Sequence, residues 1–146
     1  MLLANIATLA FCNLHLAASW LLQEETMTWD PISLWHKMGV LAKIVVVKRG
    51  PGSAICRSGD QQWSLVPPTV KIVDDVGAGD TFDAGFIHLY LRGAKLEDCL
   101  AFANVAAAYS VTREGGTEAF RDTNGLFSFI RQQWNLMGKG PLPGRG

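Results

Sequence analysis

The chain has no surplus of charge: thirteen lysines and arginines balance thirteen aspartates and glutamates. That balance gives no electrostatic reason to expect nucleic acid or an anionic lipid surface as a partner. The run GxxxxGK[ST] is missing, which excludes phosphate binding through a P-loop. No two cysteines are spaced as CxxC, and Cys12, Cys56 and Cys99 are odd in number. They read as buried thiols in a reducing compartment, not as a metal site or a disulfide framework. No internal repeat is visible. The first 22 residues are rich in leucine and alanine, yet no basic start precedes them and no small-residue cleavage site follows. Asn5, Asn13 and His15 interrupt the run, where a spanning helix needs about 20 mostly apolar residues. A buried strand leading into a helix is the expectation, with no membrane partner and a cytoplasmic location.

What is present fits one α/β domain. The 146 residues suffice for a real core, and about half are apolar. Residues 1–12 hold a candidate strand, followed by a helix from Leu14 to Gln23. Asp30-Pro31 reads as a helix start and Gly39 as a stop. Lys43 to Lys48 is a short β-branched run of the kind found in parallel strands buried on both faces. Ser53–Arg57 and Gln62–Val66 predict two antiparallel strands around Ser58-Gly59-Asp60, ended by Pro67-Pro68. Thr69–Val73 predicts a further strand. Helices are expected over Thr81–Leu91, Leu96–Thr112 and Asn124–Leu136, and the glycine- and proline-rich residues 138–146 as a flexible tail. Strands alternating with helices imply a mostly parallel sheet with helices on its faces.

The most informative residues are Asp74-Asp75-Val76-Gly77-Ala78-Gly79-Asp80-Thr81-Phe82. Glycines at a turn into a helix aim backbone N–H groups and the positive end of the helix dipole at one spot, which suits an anion. Asp80 adds a carboxylate able to accept a proton. An anion cradle beside a base is what phosphoryl transfer to a hydroxyl requires. Alone, GAGD is equally compatible with a plain strand-to-helix turn. A second glycine loop, Lys48-Arg49-Gly50-Pro51-Gly52-Ser53-Ala54, follows the Lys43–Lys48 run. In open α/β sheets, ligands bind beyond the C-terminal ends of strands, so both loops are candidates to line a nucleotide.

DDVGAGDTFDAGF, then Phe102-Ala103-Asn104-Val105-Ala106-Ala107-Ala108 and Val111-Thr112-Arg113-Glu114-Gly115-Gly116, resembles the second signature of ribokinase-like (PfkB-type) carbohydrate kinases. The likeness covers residues 40–120 well and the first 20 weakly. It implies a ribokinase-like three-layer α/β sandwich with a mostly parallel sheet, truncated so that the N-terminal half and lid are missing. Residues 1–137 would then be the C-terminal nucleotide-binding and catalytic portion. The resemblance implies Asp80 as the catalytic base and the N–H groups of Gly77, Ala78, Gly79 and Asp80 as the anion hole. It implies Lys48, Gly50, Gly52, Ser53 and Asn104 on the nucleotide side, with Asn104 beside the adenine. Asp74, Val76, Val111 and Gly116 would form a monovalent-cation site. ATP, Mg²⁺ and K⁺ are the implied cofactors, and a small sugar or sugar-like alcohol the acceptor.

The chain departs from that pattern in places. The family's NxxE motif would fall at Asn13-Leu14-His15-Leu16, where Leu16 replaces the glutamate that helps organise Mg²⁺ and phosphate. Asp75 replaces a commoner threonine, Ser53 takes a place often held by glycine, and Phe120 stands where some members offer a polar cation ligand. A sheet cut mid-domain exposes an edge and an apolar helix face, on which Trp20, Trp29 and Trp35 are candidates to lie. The chain is then expected to self-associate or to need the missing half. Two readings of different class therefore stand: a sugar kinase (or a kinase of a nucleoside or vitamin-precursor alcohol), and a nucleotide-binding, catalytically silent remnant. A purely structural protein leaves the signature unexplained.

Overall fold

A computed structural model describes residues 7–13 and 42–143, and in the first of these segments only the side chain of Phe11. The helix expected at Leu14–Gln23, the helix start at Asp30-Pro31, residues 14–16 of the NxxE position, and Trp20, Trp29 and Trp35 lie outside the described residues. So does the side chain of Cys12. The chain divides into two compact units, Met1–Ser64 and Leu65–Gly146.

The first unit carries a four-stranded sheet in the order β1-β2-β3-β4, with β1 Ala7–Asn13, β2 Ala42–Lys48, β3 Ala54–Ser58 and β4 Gln61–Leu65, which reaches the unit boundary. Strand β1 runs parallel to β2, with Leu9 opposite Ile44 and Phe11 opposite Val46. Strand β3 is antiparallel to β2, with Val46 opposite Cys56. The β-branched Ile44–Val47 run is buried on both faces, as its composition predicts. Sequence reading places β2, β3 and β4 to within one residue at each end. The described sheet is half hairpin, because the two-residue turn at Gly59-Asp60 returns β4 beside β3.

The second unit holds three helices: α1 Ala78–Tyr90, α2 Leu96–Ser110 and α3 Thr123–Leu136, with a 3-10 turn at Glu118–Arg121. Helix α1 buries Phe82, Phe86 and Leu89, spaced four and three apart on one face. Helix α2 is buried over most of its circumference, from Cys99 and Leu100 through Val105 to Tyr109. Its small residues allow a close crossing with α1. A Cβ on Gly85 would lie 3.2 Å from the Ala103 Cα and 3.3 Å from the Ala106 Cβ. Large apolar side chains such as Phe86 and Leu100 lie beside this contact, each worth roughly 1.5–3 kcal/mol on burial.

The strand expected at Thr69–Val73 does not form. The segment belongs to no sheet and leaves Ile72 and Val73 exposed. Its composition favours a strand, but a strand needs a neighbour to pair with. Val73 finds only a carbonyl at the end of α2, donating its N–H to Val111 at 2.7 Å. Helix α1 begins at Ala78, three residues before the expected Thr81, so the glycine turn is partly helix.

The stretch from Gly138 packs back onto the helices. The Trp134 indole N–H donates to the Gly140 carbonyl at 2.8 Å. The Lys139 ammonium lies 2.6 Å from Asp98 and 3.7 Å from Glu97, both at the start of α2. The described residues therefore hold the beginning of the expected tail, 138–140, against α2 and α3.

Candidate functional site

The site is built where the 74–77 turn enters α1. Asp74 sets its shape. One carboxylate oxygen accepts the Val76 N–H at 3.0 Å, and the other accepts the Gly115 N–H at 2.8 Å. These two bonds, Gly115 first, hold the Asp74 carboxyl below the usual carboxylate range. The turn then closes through the Ala78 N–H on the Asp75 carbonyl at 3.2 Å. Gly77 caps α1 with φ 77° and ψ −1°, a left-handed conformation that side chains resist.

A second segment, Val111–Thr117, lies against this turn. A Cβ on Gly77 would sit 3.2 Å from the Gly116 Cα, and a Cβ on Gly116 would sit 3.2 Å from the Val76 carbonyl oxygen. Two glycines facing one another let two backbones approach where any side chain would part them. The Val111 carbonyl accepts N–H groups from Val73 at 2.7 Å and Asp74 at 3.3 Å, completing the seam.

At the mouth of the turn, Asp80 is exposed in the first turn of α1, with its carboxylate facing solvent. The Gly77 carbonyl accepts the Thr81 N–H at 2.9 Å, which starts the helical ladder. Among the described residues, the N–H groups of Gly77 and Asp80 have no acceptor, as the first turn of a helix leaves them. The Ala78 N–H is engaged within the turn, and Gly79 also has an interaction. Of the four N–H groups expected to form the cradle, that of Ala78 is thus turned to the Asp75 carbonyl.

The residues expected at a cation site are brought together, but much of their donor capacity is occupied. Both Asp74 oxygens accept backbone N–H groups, and a carbonyl has two lone pairs, which on Val111 already meet two donors. The Val76 carbonyl faces Gly116. Val111 is thus fully engaged in the backbone seam, while each Asp74 oxygen, with one N–H on it, keeps a further lone pair. For Mg²⁺, no group of three His, Cys, Asp or Glu side chains gathers among the described residues. Mg²⁺ in nucleotide sites is commonly held by phosphates with one or two carboxylates, and the exposed carboxylates at this turn are Asp75 and Asp80.

Of the expected nucleotide-side residues, Asn104 is buried on α2 at 3% exposure, and its amide donates to the Leu65 carbonyl at 3.1 Å. In the first unit, the loop after β2 is a tight turn with the Gly52 N–H on the Arg49 carbonyl at 3.2 Å. The Arg49 guanidinium donates to the Ser53 hydroxyl at 3.2 Å. Gly50 has φ 62° and open space around it. Lys48 is half-buried at the end of β2, its ammonium 6.0 Å from the centre of the Phe11 ring. Phe120, at the possible cation-ligand position, instead tilts against Tyr109 with ring centres 6.4 Å apart.

Sequence reasoning missed three residues. The Gly115 N–H as the partner of Asp74 lies inside a quoted motif, but nothing in its spacing marks it as a donor. Arg113 and Asp122 form an ion pair at 3.1 Å beside the seam, while Asp122 also accepts the Gly125 N–H at 2.8 Å to cap α3. Aspartate ahead of a helical run is a readable cap signal; its second contact is not.

Comparison with known proteins agrees with this architecture. The family model described as pfkB family carbohydrate kinase matches residues 1–123, and the chain belongs to that family. An uncharacterized sugar kinase of Archaeoglobus fulgidus is 38% identical over 82 residues, covering 56% of this chain and 32% of that protein. A ribokinase of Arabidopsis thaliana is 37% identical over 99 residues, covering 66% of this chain and 25% of the relative. The chain thus spans about a third or less of the length of these curated relatives. Among solved structures, a ribokinase II from Escherichia coli in complex with ATP and Mg²⁺ superposes with a TM-score of 0.69 at 25% identity. The match covers 86% of this chain and 39% of that one. The fold is that of the ribokinase-type α/β kinases, of which this chain represents a part.

Proposed function

We propose that this chain carries the base and anion-binding turn of an ATP-dependent kinase that phosphorylates a hydroxyl of a sugar or sugar-like alcohol. The observation that carries this reading is the turn at α1. An exposed carboxylate, Asp80, stands in the first helical turn beside the N–H groups of Gly77 and Asp80, which have no acceptor among the described residues. Asp80 takes the proton as the acceptor oxygen forms its bond to the γ-phosphorus. The bond from that phosphorus to the β-phosphate oxygen breaks, and ADP leaves. Charge on the transferring oxygens meets the N–H groups and the positive end of α1, a preorganised arrangement that needs no rearrangement during reaction. The transition state is largely dissociative, so placement matters more than the strength of the base. Bound Mg²⁺ would neutralise phosphate charge, with Asp80 as the carboxylate near it.

Lys48, Gly50, Gly52 and Ser53 belong to the same proposal as the nucleotide-side loop. Asn104 belongs to it as the residue implied beside the adenine; its amide donates to the Leu65 carbonyl within the second unit. A cytoplasmic location belongs to the same proposal; the need for ATP and the buried free thiols Cys56 and Cys99 support it. No helix among the described residues is long and apolar enough to cross a membrane.

The test is calorimetric binding of MgATP to the chain, then phosphate transfer across a panel of sugars and nucleosides, with and without potassium. Asp80→Asn should lower transfer by about 10²–10⁴-fold and leave nucleotide affinity within a few-fold. Near-normal turnover in that variant overturns the assignment. A second reading, a nucleotide-binding chain without catalysis, is favoured by Leu16 at the glutamate position of NxxE. Binding without transfer in the wild-type chain selects it.

A further inference from the structure

The seam between the 74–77 turn and the 111–117 segment is held from one side by Asp74. On the other side stands a cluster with no part in the proposed chemistry. The Arg113 guanidinium donates to the Asp122 carboxylate at 3.1 Å and sits 5.8 Å from the centre of the Tyr109 ring. Tyr109 is buried at the end of α2 and packs against Phe129 of α3 at 5.3 Å between ring centres. Its hydroxyl donates to the Asp122 carbonyl at 3.5 Å. Asp122 in turn caps α3 through the Gly125 N–H. Arg113 is thereby tied to the ends of two helices.

We propose that Arg113, acting through Asp122, is a positioning residue that sets the 111–117 segment so that the Gly115 N–H reaches Asp74 and Gly116 abuts Gly77. Arg113 and Gly115 are two residues apart, a span of at most about 7 Å. A displacement at the guanidinium is therefore carried into the Gly115 N–H within one short stretch of backbone. Loss of that N–H frees Asp74 to turn away from its own loop, and the left-handed Gly77 then loses the backbone that faces it. The pair is half-exposed, and exposed ion pairs contribute little to global stability. Its consequence is local, at the register of two loops. The link to phosphate binding rests on the kinase reading above; the link to Gly115 does not.

The experiment follows backbone amide exchange by NMR, together with MgATP affinity by calorimetry, in the full chain and in Arg113→Gln, Asp122→Asn and Arg113→Lys. Asparagine at 122 can still cap α3, so that variant removes the ion pair while keeping the helix start. Exchange at the Gly115 amide is expected to quicken about tenfold or more in Arg113→Gln and Asp122→Asn, with Leu100 and Val105 in α2 unchanged. Arg113→Lys, which keeps the charge but not the fork, should fall between. MgATP affinity should weaken in the same order. Unchanged Gly115 exchange in Arg113→Gln overturns the proposal. Equal quickening at Leu100 and Val105 also overturns it, because the pair is then a general brace. If the wild-type chain binds no MgATP, the kinase reading fails, while the exchange result still decides the role of Arg113.

Discussion

The Asp74 carboxylate accepts the Gly115 backbone N–H at 2.8 Å, joining residues 41 positions apart. Its other oxygen accepts from Val76 in the same turn. One side chain therefore fixes both the local fold of the turn and its distance from the segment opposite. The exposed Asp80 owes its placement to this arrangement, because the helix that carries it starts from the turn so held.

Gly77→Ala tests the facing glycines. The substitution forces a side chain into a left-handed backbone and sets its Cβ 3.2 Å from the Gly116 Cα. Strain of this kind costs on the order of 1–3 kcal/mol. A urea melt should show a lowered midpoint with little change in slope, and under the proposed kinase function phosphate transfer should fall further than the loss of stability explains.

Acid should loosen the same region. Native Asp74 is held below the usual carboxylate range by the Gly115 and Val76 N–H groups. Native Asp122 is held below it by the Gly125 N–H and then by Arg113. Between the ordinary carboxylate value near ~4 and the lower native values, the unfolded chain binds more protons than the folded one. The stability these groups contribute is complete above that range and drains away as the pH falls through the native values. Thermal melts from pH 6 downward should record this decline, and the Asp74→Asn, Asp122→Asn double variant should have a flatter acid limb. An identical limb in the double variant would place the acid sensitivity elsewhere.

Gly85→Leu should open the α1–α2 crossing. The added side chain meets the Ala103 backbone at once, and overpacking of this kind costs typically about 1–3 kcal/mol. Helical circular dichroism should persist at low temperature while the melting midpoint drops.

How far these features are legible in the sequence depends on their range. Helix α1 and the strands β2 to β4 follow from short-range signals: periodic Phe82, Phe86 and Leu89, the Ile44–Val47 run, and a Gly-Asp turn. The Thr69–Val73 segment has the same β-branched composition as β2, but composition does not supply a partner strand. The glycine turn is readable as a turn because its residues are adjacent. The closure by Gly115, and the tether from Arg113 to Asp122, join residues that no periodicity links. The donor capacity of Val111 was equally hidden, since a carbonyl's partners depend on which backbone comes to rest beside it.

The thiols offer a separate check. Cys56 and Cys99 are fully buried, and burial, with the charge of Asp98, pushes the Cys99 thiol up to about 11. The nucleophile in disulfide exchange is the thiolate. In a Cys12→Ser variant, an aromatic disulfide reagent at neutral pH should therefore react slowly with the folded chain and release two equivalents after denaturation. Rapid release from the native protein would contradict the burial.

The bond from Asp74 to Gly115 also imposes an order of events. The loop it closes contains all of α1 and all of α2, and closing a long loop has an entropic cost that must be offset by contacts within it. Docking of the helix pair is therefore expected to precede the meeting of the two turns. The anion-facing geometry is thus expected to form after α1 and α2 have docked, so that in a slowly folding chain helical structure would appear before the Asp74–Gly115 bond.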